Sequence, residues 1–255
     1  VALIECDFFS EVLEVSTSMT VLLPQRARSQ IGVTGVAGEV GQVPVLYLLH
    51  GLSDDHTAWQ RWTSIERYAA ARGLAVVMPA VHRSFYADEV HGHRYWTFLA
   101  QELPHLVSSF FRVSDRREDT FVAGLSMGGY GALKWALREP SRFAAVASMS
   151  GALDVVAMAR RPERGELCDR VFGGVPGPDN DLFALLGSAD ADTLPPMYIS
   201  CGTEDVLLDS NRAFVEAAQK AGARVTVDFR PGEHEWGFWD AEIQKILAWL
   251  PGTPS

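Results

Sequence analysis

From Val43 to Leu49 the chain is apolar at every position but is interrupted by Pro44. A run that short and that uniform predicts a strand buried on both faces, as in a parallel sheet. A second buried strand is predicted at Leu74–Met78 (stopped by Pro79), and further strands at Thr120–Gly124, Phe143–Met149, Met197–Cys201 and Arg224–Phe229. Between these runs the spacing predicts helices over Trp59–Ala71, with Gly73 placed as its C-cap, and over Tyr95–Phe110, Gly128–Arg138, Asp209–Ala221 and Trp239–Leu250. Two further β segments are expected within residues 1–23, the second closing on Met19–Leu23 before Pro24. Alternation of this kind calls for an α/β fold: a mainly parallel central sheet flanked by helices on both faces. Such sheets bind ligands beyond the carboxyl ends of their strands. The loops after Leu49, Met78, Gly124, Met149, Cys201 and Phe229 are therefore expected to share one rim.

Three stretches depart from that rhythm. Gly32, Gly35, Gly38 and Gly41 recur every third residue, without proline and over too short a span for a collagen helix, and predict a mobile hairpin loop. Residues 80–94 are polar, rich in histidine and aromatics and without clear period, which is the signature of a functional loop. Residues 150–193, with the Gly173–Pro178 turn cluster, read as an insertion packed over the sheet. Residues 1–255 are accordingly expected to form a single domain.

Composition narrows the function. The chain has 255 residues, 47% hydrophobic and 21% charged, which fits a globular protein. Its formal net charge of −10 repels phosphate backbones and anionic lipid, so neither nucleic acid nor a membrane surface is an expected partner. No apolar run reaches the 18 or so residues of a membrane span. The segment Val1–Asp7 meets charge too early for a signal-peptide core. The three cysteines, Cys6, Cys168 and Cys201, are odd in number and lack CxxC spacing. They predict neither a disulfide framework nor a thiolate zinc site, and place the protein in a reducing cytoplasm.

The chemistry concentrates at Gly124-Leu125-Ser126-Met127-Gly128, a G-x-S-x-G entered by an apolar strand and left by a helix. That context is a nucleophile elbow, a turn so tight that glycine is needed beside the serine. Backbone N–H groups of the helix N-terminus point towards the serine. A hydroxyl is too weak an acid to ionise at neutral pH, so Ser126 needs a base, and the base needs a partner to fix its tautomer. His234 is the one histidine after Ser126. Its activity as base is expected to appear as it loses its proton. The acid is expected at the end of the Met197–Cys201 strand, where Asp205 is favoured over its neighbour Glu204. Asp209 is instead expected to cap the next helix, and Asp190 and Asp192 precede their strand.

Two oxyanion donors are also required. One is expected to be the Met127 N–H; the second should come from the turn at residues 50–53, with Leu52 favoured and Gly51 or Ser53 as alternatives. His50 is expected to shape that turn. Trp59, Tyr86 and Trp236, near the rim loops, are candidates to line a substrate pocket. Neither Asp54-Asp55-His56 nor His91-Gly92-His93 supplies a full ligand set, so no metal is expected.

These residues carry a resemblance. Leu48-Leu49-His50-Gly51-Leu52-Ser53, Thr63-Ser64-Ile65-Glu66-Arg67-Tyr68, Val77-Met78-Pro79, Glu102-Leu103-Pro104, Ala123–Gly131 and Cys201-Gly202-Thr203-Glu204-Asp205 are similar to stretches of the α/β-hydrolase esterases of the esterase D group, most closely small bacterial tributyrin esterases. The resemblance implies a cofactor-free carboxylesterase for short-chain acyl esters, often oligomeric, with Ser126, Asp205 and His234 as triad and Leu52 and Met127 as oxyanion donors. S-formylglutathione hydrolases are close relatives, but typically have cysteine where this chain has Asp54. Their histidine segment also differs from Glu233-His234-Glu235-Trp236. Feruloyl and acetyl-xylan esterases are relatives too, and acyl transfer to an alcohol is an alternative outcome on the same triad.

Overall fold

The apolar runs pair edge to edge into one eight-stranded sheet. The computed structural model describes residues 1–25 and 42–252; the glycine-repeat segment expected as a hairpin loop lies outside them. The strands are β1 (Ala2–Ser10), β2 (Val15–Leu23), β3 (Val45–Leu49), β4 (Ala75–Pro79), β5 (Thr120–Leu125), β6 (Ala145–Met149), β7 (Met197–Gly202) and β8 (Val225–Arg230), ordered β1-β2-β4-β3-β5-β6-β7-β8. β1 and β2 form an antiparallel hairpin and β2 runs antiparallel to β4; every other pairing is parallel. All residues of β3 to β7 are buried, the polar Thr120, Ser148 and Ser200 together with the apolar majority.

Strand alternation sends side chains to two separate cores. Val45, Tyr47, Leu49, Val122 and Val146 face one, and Leu46, Leu48, Phe121, Ala123 and Ala147 the other. The second core is closed by α1 (Ala58–Trp62), α2 (Ile65–Arg72) and a long C-terminal helix (Trp236–Trp249). The first is closed by α3 (Tyr95–Thr97), α4 (Leu103–Phe110), α5 (Met127–Arg138), α6 (Val155–Ala159), α7 (Gly165–Phe172), α8 (Leu182–Ser188) and α9 (Leu208–Lys220); the C-terminal helix is α10.

Two predicted helices are interrupted, each for a local reason. The helix expected over Trp59–Ala71 breaks at Thr63 and Ser64. Thr63 Oγ1 bonds back to the Trp59 carbonyl at 2.5 Å and accepts the Ile65 N–H at 3.1 Å, while Ser64 N–H goes to Asp240 Oδ1 at 3.2 Å. Side chains thus take the bonds that would continue the helix. The helix expected over Tyr95–Phe110 contains a π turn at Phe98–Glu102. Pro104 has no N–H to offer the carbonyl four residues earlier, and that carbonyl, of Ala100, accepts from Arg142 Nη2 at 3.2 Å instead. The last helix begins at Trp236, three residues before the predicted start.

The segment 150–193 carries α6, α7 and α8 between β6 and β7. It docks on α5 through Asn180, whose carbonyl accepts from Tyr130 Oη at 2.7 Å and whose Oδ1 accepts from the buried Lys134 Nζ at 2.6 Å. It also pairs with the 80–94 loop, where Arg170 meets the Glu89 carboxylate and Val90 N–H bonds the Val171 carbonyl at 3.1 Å.

Candidate active site

The turn between β5 and α5 places Ser126 at φ +53° and ψ −115°, a conformation rarely adopted by side-chain-bearing residues. Its N–H is held by the Met149 carbonyl at 2.9 Å, and its own carbonyl accepts from Ala152 and Tyr130. The turn is passable only because its flanks lack Cβ atoms. A Cβ at Gly128 would lie 2.3 Å from the Leu49 carbonyl oxygen, and one at Gly124 2.3 Å from the Gly128 oxygen. Both obstacles are backbone, so neither can step aside. Gly128→Ala is expected to cost about 3 kcal/mol or more of stability, read as a lowered urea midpoint; an unchanged midpoint would refute the packing argument.

Ser126 Oγ lies 3.1 Å from His234 Nε2, and His234 Nδ1 lies 2.8 Å from Asp205 Oδ2. An ionised carboxylate can only accept, so the imidazole proton sits on Nδ1 and the Nε2 lone pair faces the serine hydroxyl. Burial alone would raise the Asp205 pKa, but hydrogen bonds from His234, the Leu207 N–H and Ser150 together hold it below the ordinary carboxylate value. The stability this contributes is present above the unfolded carboxyl's pKa and is lost as pH falls through the folded value.

The competing acids are elsewhere. Glu204 is exposed and accepts the Gly232 N–H at 2.7 Å, bracing the histidine loop rather than the imidazole. Asp209 does not cap α9, as expected from sequence, but lies in its first turn, 3.6 Å from Arg212. Leu207 occupies the capping position instead, because the Asp205 side chain already turns the chain through the Leu207 N–H at 2.9 Å.

Leu52 and Met127 line the same cavity as Ser126 and His234. Met127 is the first residue of α5, where the helix offers its N–H no acceptor. His50 is fully buried and holds the opposite turn: it bonds the Gly51 carbonyl through Nδ1 at 2.7 Å and accepts the Val81 N–H on Nε2 at 3.1 Å. Burial lowers its pKa to about 4. Since the unfolded histidine binds its proton more readily, stability falls as pH drops from the unfolded value of roughly 6.5 towards 4. Between pH 7 and 4 the wild-type protein is expected to lose about 3 kcal/mol more unfolding free energy than His50→Gln, measured by urea titration. Parallel declines would exclude His50 as the source.

Two aromatic candidates are corrected by the structure. Trp59 and Tyr86 line none of the cavities around Ser126. Trp59 is buried with Nε1–H donated to the Leu49 carbonyl at 3.1 Å, and Tyr86 is buried with Oη–H donated to the His50 carbonyl at 2.9 Å. Both brace the backbone at residues 49–50 through these carbonyls, because each carries a polar tip that needs a hydrogen-bond partner when buried. Trp236 does line a cleft, together with Trp239, Ser126 and His234.

Two spaces meet at Ser126. One is a cavity of about 500 Å³ walled by Leu52, Phe85, Met127, Met158, Val206 and Leu207. The other is a polar cleft flanked by Ser53, Asp54, Arg83, Arg164, Glu235 and Trp236. Arg164 borders both. Met158, on α6, and Arg164, just before α7, give no signal in sequence, since what overhangs the serine depends on how the 150–193 segment docks. Among the described residues no group of three or more His, Cys, Asp or Glu is placed to hold a metal ion; Asp55 is occupied by the Thr57 N–H and hydroxyl.

A strained serine at a strand–helix elbow, on the carboxyl rim of this sheet and within reach of a histidine, marks the α/β-hydrolase class of serine hydrolases. The chain belongs to the esterase family described as "Putative esterase", whose model matches residues 10–250. An acetyl esterase of Caldicellulosiruptor saccharolyticus is 29% identical over 262 residues, covering 98% of each protein. Among solved structures, FphF, a fluorophosphonate-binding serine hydrolase of Staphylococcus aureus with substrate bound, has a TM-score of 0.87 at 32% identity and 98% coverage of both chains. An S-formylglutathione hydrolase (FrmB) apoenzyme from the same organism has a TM-score of 0.84, also at 32% identity and 98% coverage. The protein is a serine carboxylesterase of the esterase-D-like group. No helix among its described residues is long and apolar enough to cross a membrane.

Proposed function

We propose that the protein hydrolyses short-chain acyl esters, the tributyrin-esterase type of specificity, with Ser126 as nucleophile, His234 as base and Asp205 as orienting acid. The observation that carries this reading is the unbroken hydrogen-bond chain from Asp205 through His234 to Ser126, at 2.8 and 3.1 Å, opening onto an apolar cavity of about 500 Å³. His234 Nε2 takes the serine proton as Oγ bonds to the carbonyl carbon. The Leu52 and Met127 N–H groups stabilise the oxyanion, each worth about 3 kcal/mol of barrier. The C–O bond to the alcohol breaks and His234 returns the proton to it. Water then repeats the sequence on the acyl-enzyme, freeing the acid and restoring Ser126.

The apolar cavity suits the acyl chain and the polar cleft the alcohol. We further read residues 1–255 as a single domain, supported by one continuous sheet. A cytoplasmic location is favoured by three cysteines that are all thiols. The experiment is a p-nitrophenyl ester series from acetyl to dodecanoyl, with S-formylglutathione and acetylated xylan alongside. kcat/KM is expected to peak within the short acyl chains and to fall towards dodecanoyl. A maximum at the long chains, or turnover confined to S-formylglutathione or xylan, would overturn the assignment.

A further inference from the structure

The loop of residues 80–94 is held in an unfavourable shape at its middle. Phe85 and Tyr86 follow one another at φ +49° and +50°, which residues bearing side chains rarely adopt. Every polar atom of Tyr86 is engaged. Its N–H goes to Ser84 Oγ at 3.1 Å, its carbonyl accepts from Lys134 Nζ at 2.9 Å, and its Oη–H goes to the His50 carbonyl at 2.9 Å. Its ring lies on the backbone of α5, where a Cβ at Gly131 would come within 2.4 Å of it. Lys134 is completely buried on α5, the helix that starts at the nucleophile. Besides Tyr86 it donates to Asn180 Oδ1 at 2.6 Å, and Nζ lies 4.9 Å from the centroid of the Trp96 ring. The hydrolytic steps make no use of this lysine.

The far end of these contacts is the oxyanion turn. Three consecutive carbonyls there are taken by buried side chains: Leu49 by Trp59 Nε1, His50 by Tyr86 Oη and Gly51 by His50 Nδ1. The other nitrogen of His50 sets its tautomer: Nε2 accepts the Val81 N–H, so the proton sits on Nδ1 and is donated to Gly51. A trans peptide is planar, with its C=O and N–H opposed. Fixing the Gly51 carbonyl therefore fixes the direction of the Leu52 N–H, which has no acceptor among the described residues. The same turn abuts the start of α5. A Cβ at Gly128 would lie 2.3 Å from the Leu49 oxygen and 2.8 Å from the His50 oxygen, and one at Gly51 would lie 3.8 Å from Ser126 Cβ. With so little space between them, a shift of the His50 carbonyl alters the spacing of the Leu52 and Met127 N–H groups around the serine.

We propose that Lys134 and Tyr86 form a strut that sets the oxyanion hole, Lys134 holding Tyr86 by its carbonyl and Tyr86 holding the turn by the His50 carbonyl. Both are positioning residues, and neither touches the reacting atoms. The inference rests on the triad and oxyanion assignments above.

The test compares the wild type with Tyr86→Phe, Lys134→Met and the double variant on p-nitrophenyl butyrate, with kcat counted per site titrated by a fluorophosphonate. Beside it run the inhibition constants of an alkyl trifluoromethyl ketone and of the methyl ketone with the same chain. The fluorinated ketone forms an adduct: Ser126 Oγ bonds to the carbonyl carbon, the C=O π pair moves to the oxygen and the serine proton goes to His234. Its affinity therefore reports the oxyanion donors, and that of the methyl ketone reports the pocket alone. Tyr86→Phe keeps the ring against Gly131 and removes only the hydroxyl, so it is decisive even where Lys134→Met folds poorly. Each single variant is expected to lower kcat roughly 10- to 100-fold with KM little changed. The trifluoromethyl ketone is expected to bind more weakly by the same factor, with the methyl ketone unaffected. The double variant is expected to lose no more than the worse single variant, because members of one strut are not additive. Wild-type kcat in Tyr86→Phe, a fall in kcat that leaves the trifluoromethyl ketone constant unmoved, or losses that multiply in the double variant would overturn the proposal. Ser126→Ala separates the two readings. If it is inactive and binds both ketones alike while Tyr86→Phe behaves as wild type, only the strut falls; if it keeps its turnover, the triad assignment itself has failed.

Discussion

Ser126→Ala is expected to lower kcat on p-nitrophenyl butyrate by roughly 10⁴- to 10⁶-fold, with the urea midpoint almost unchanged. The loss is large because the oxygen that forms the acyl bond is gone, and among the described residues no other hydroxyl is hydrogen-bonded to His234 Nε2. The fold is spared because what holds the elbow is backbone: the Ser126 N–H on Met149 and its carbonyl on Ala152 and Tyr130. Alanine at φ +53° carries the same Cβ strain as serine. Covalent labelling by a fluorophosphonate, followed by mass spectrometry, is expected to mark residue 126 in the wild type and to disappear in the variant. Turnover within tenfold of wild type would mean that the nucleophile lies elsewhere.

Asp205→Asn is expected to lower kcat about 10⁴-fold at neutral pH, although it preserves shape almost atom for atom. Two of the native partners of residue 205, the His234 Nδ1–H and the Leu207 N–H at 2.9 Å, are donors, and an amide has only one acceptor oxygen for them. With that oxygen kept by Leu207, the amide NH₂ faces His234. Nδ1 then accepts, the imidazole proton moves to Nε2, and Nε2 points a hydrogen at the serine it should deprotonate. The measurement is the pH–rate profile of the pure variant beside its circular dichroism spectrum. Near-normal turnover by a correctly folded Asp205→Asn would remove Asp205 from the mechanism and leave Ser126 and His234 as a dyad.

The fold is most legible in the sequence where burial leaves a strand no freedom. β3 to β7 sit in a sheet covered on both sides, so nearly every position is apolar, and the runs at 43–49, 74–78, 120–124, 143–149 and 197–201 stand out as strands in the sequence. Boundaries failed where a distant side chain competed with the local backbone. Nothing near Thr63 and Ser64 announces that Asp240, on the last helix, takes the Ser64 N–H. The substitution of Arg142 for the missing Pro104 donor was equally hidden.

The candidate site divides the same way. Chain order and strand ends sufficed to nominate Ser126, Asp205 and His234, because a nucleophile elbow is a local object and parallel strands send their following loops to one rim. The aromatic residues show the limit. Trp59, Tyr86 and Trp236 are alike on paper, each near a rim loop; only packing decides that the first two turn inward to the Leu49 and His50 carbonyls and the third towards the cleft. The sequence by itself determined the order of strands and helices and the residue types able to do the chemistry, since hydrophobic periodicity and glycine-bounded turns are local properties of the chain. The tertiary structure alone decided that 108 residues of separation between Ser126 and His234 close to 3.1 Å, and that α6 and the segment leading into α7 wall the cavity. Those are contacts between elements remote in sequence, and their geometry is set by how whole helices seat on the sheet.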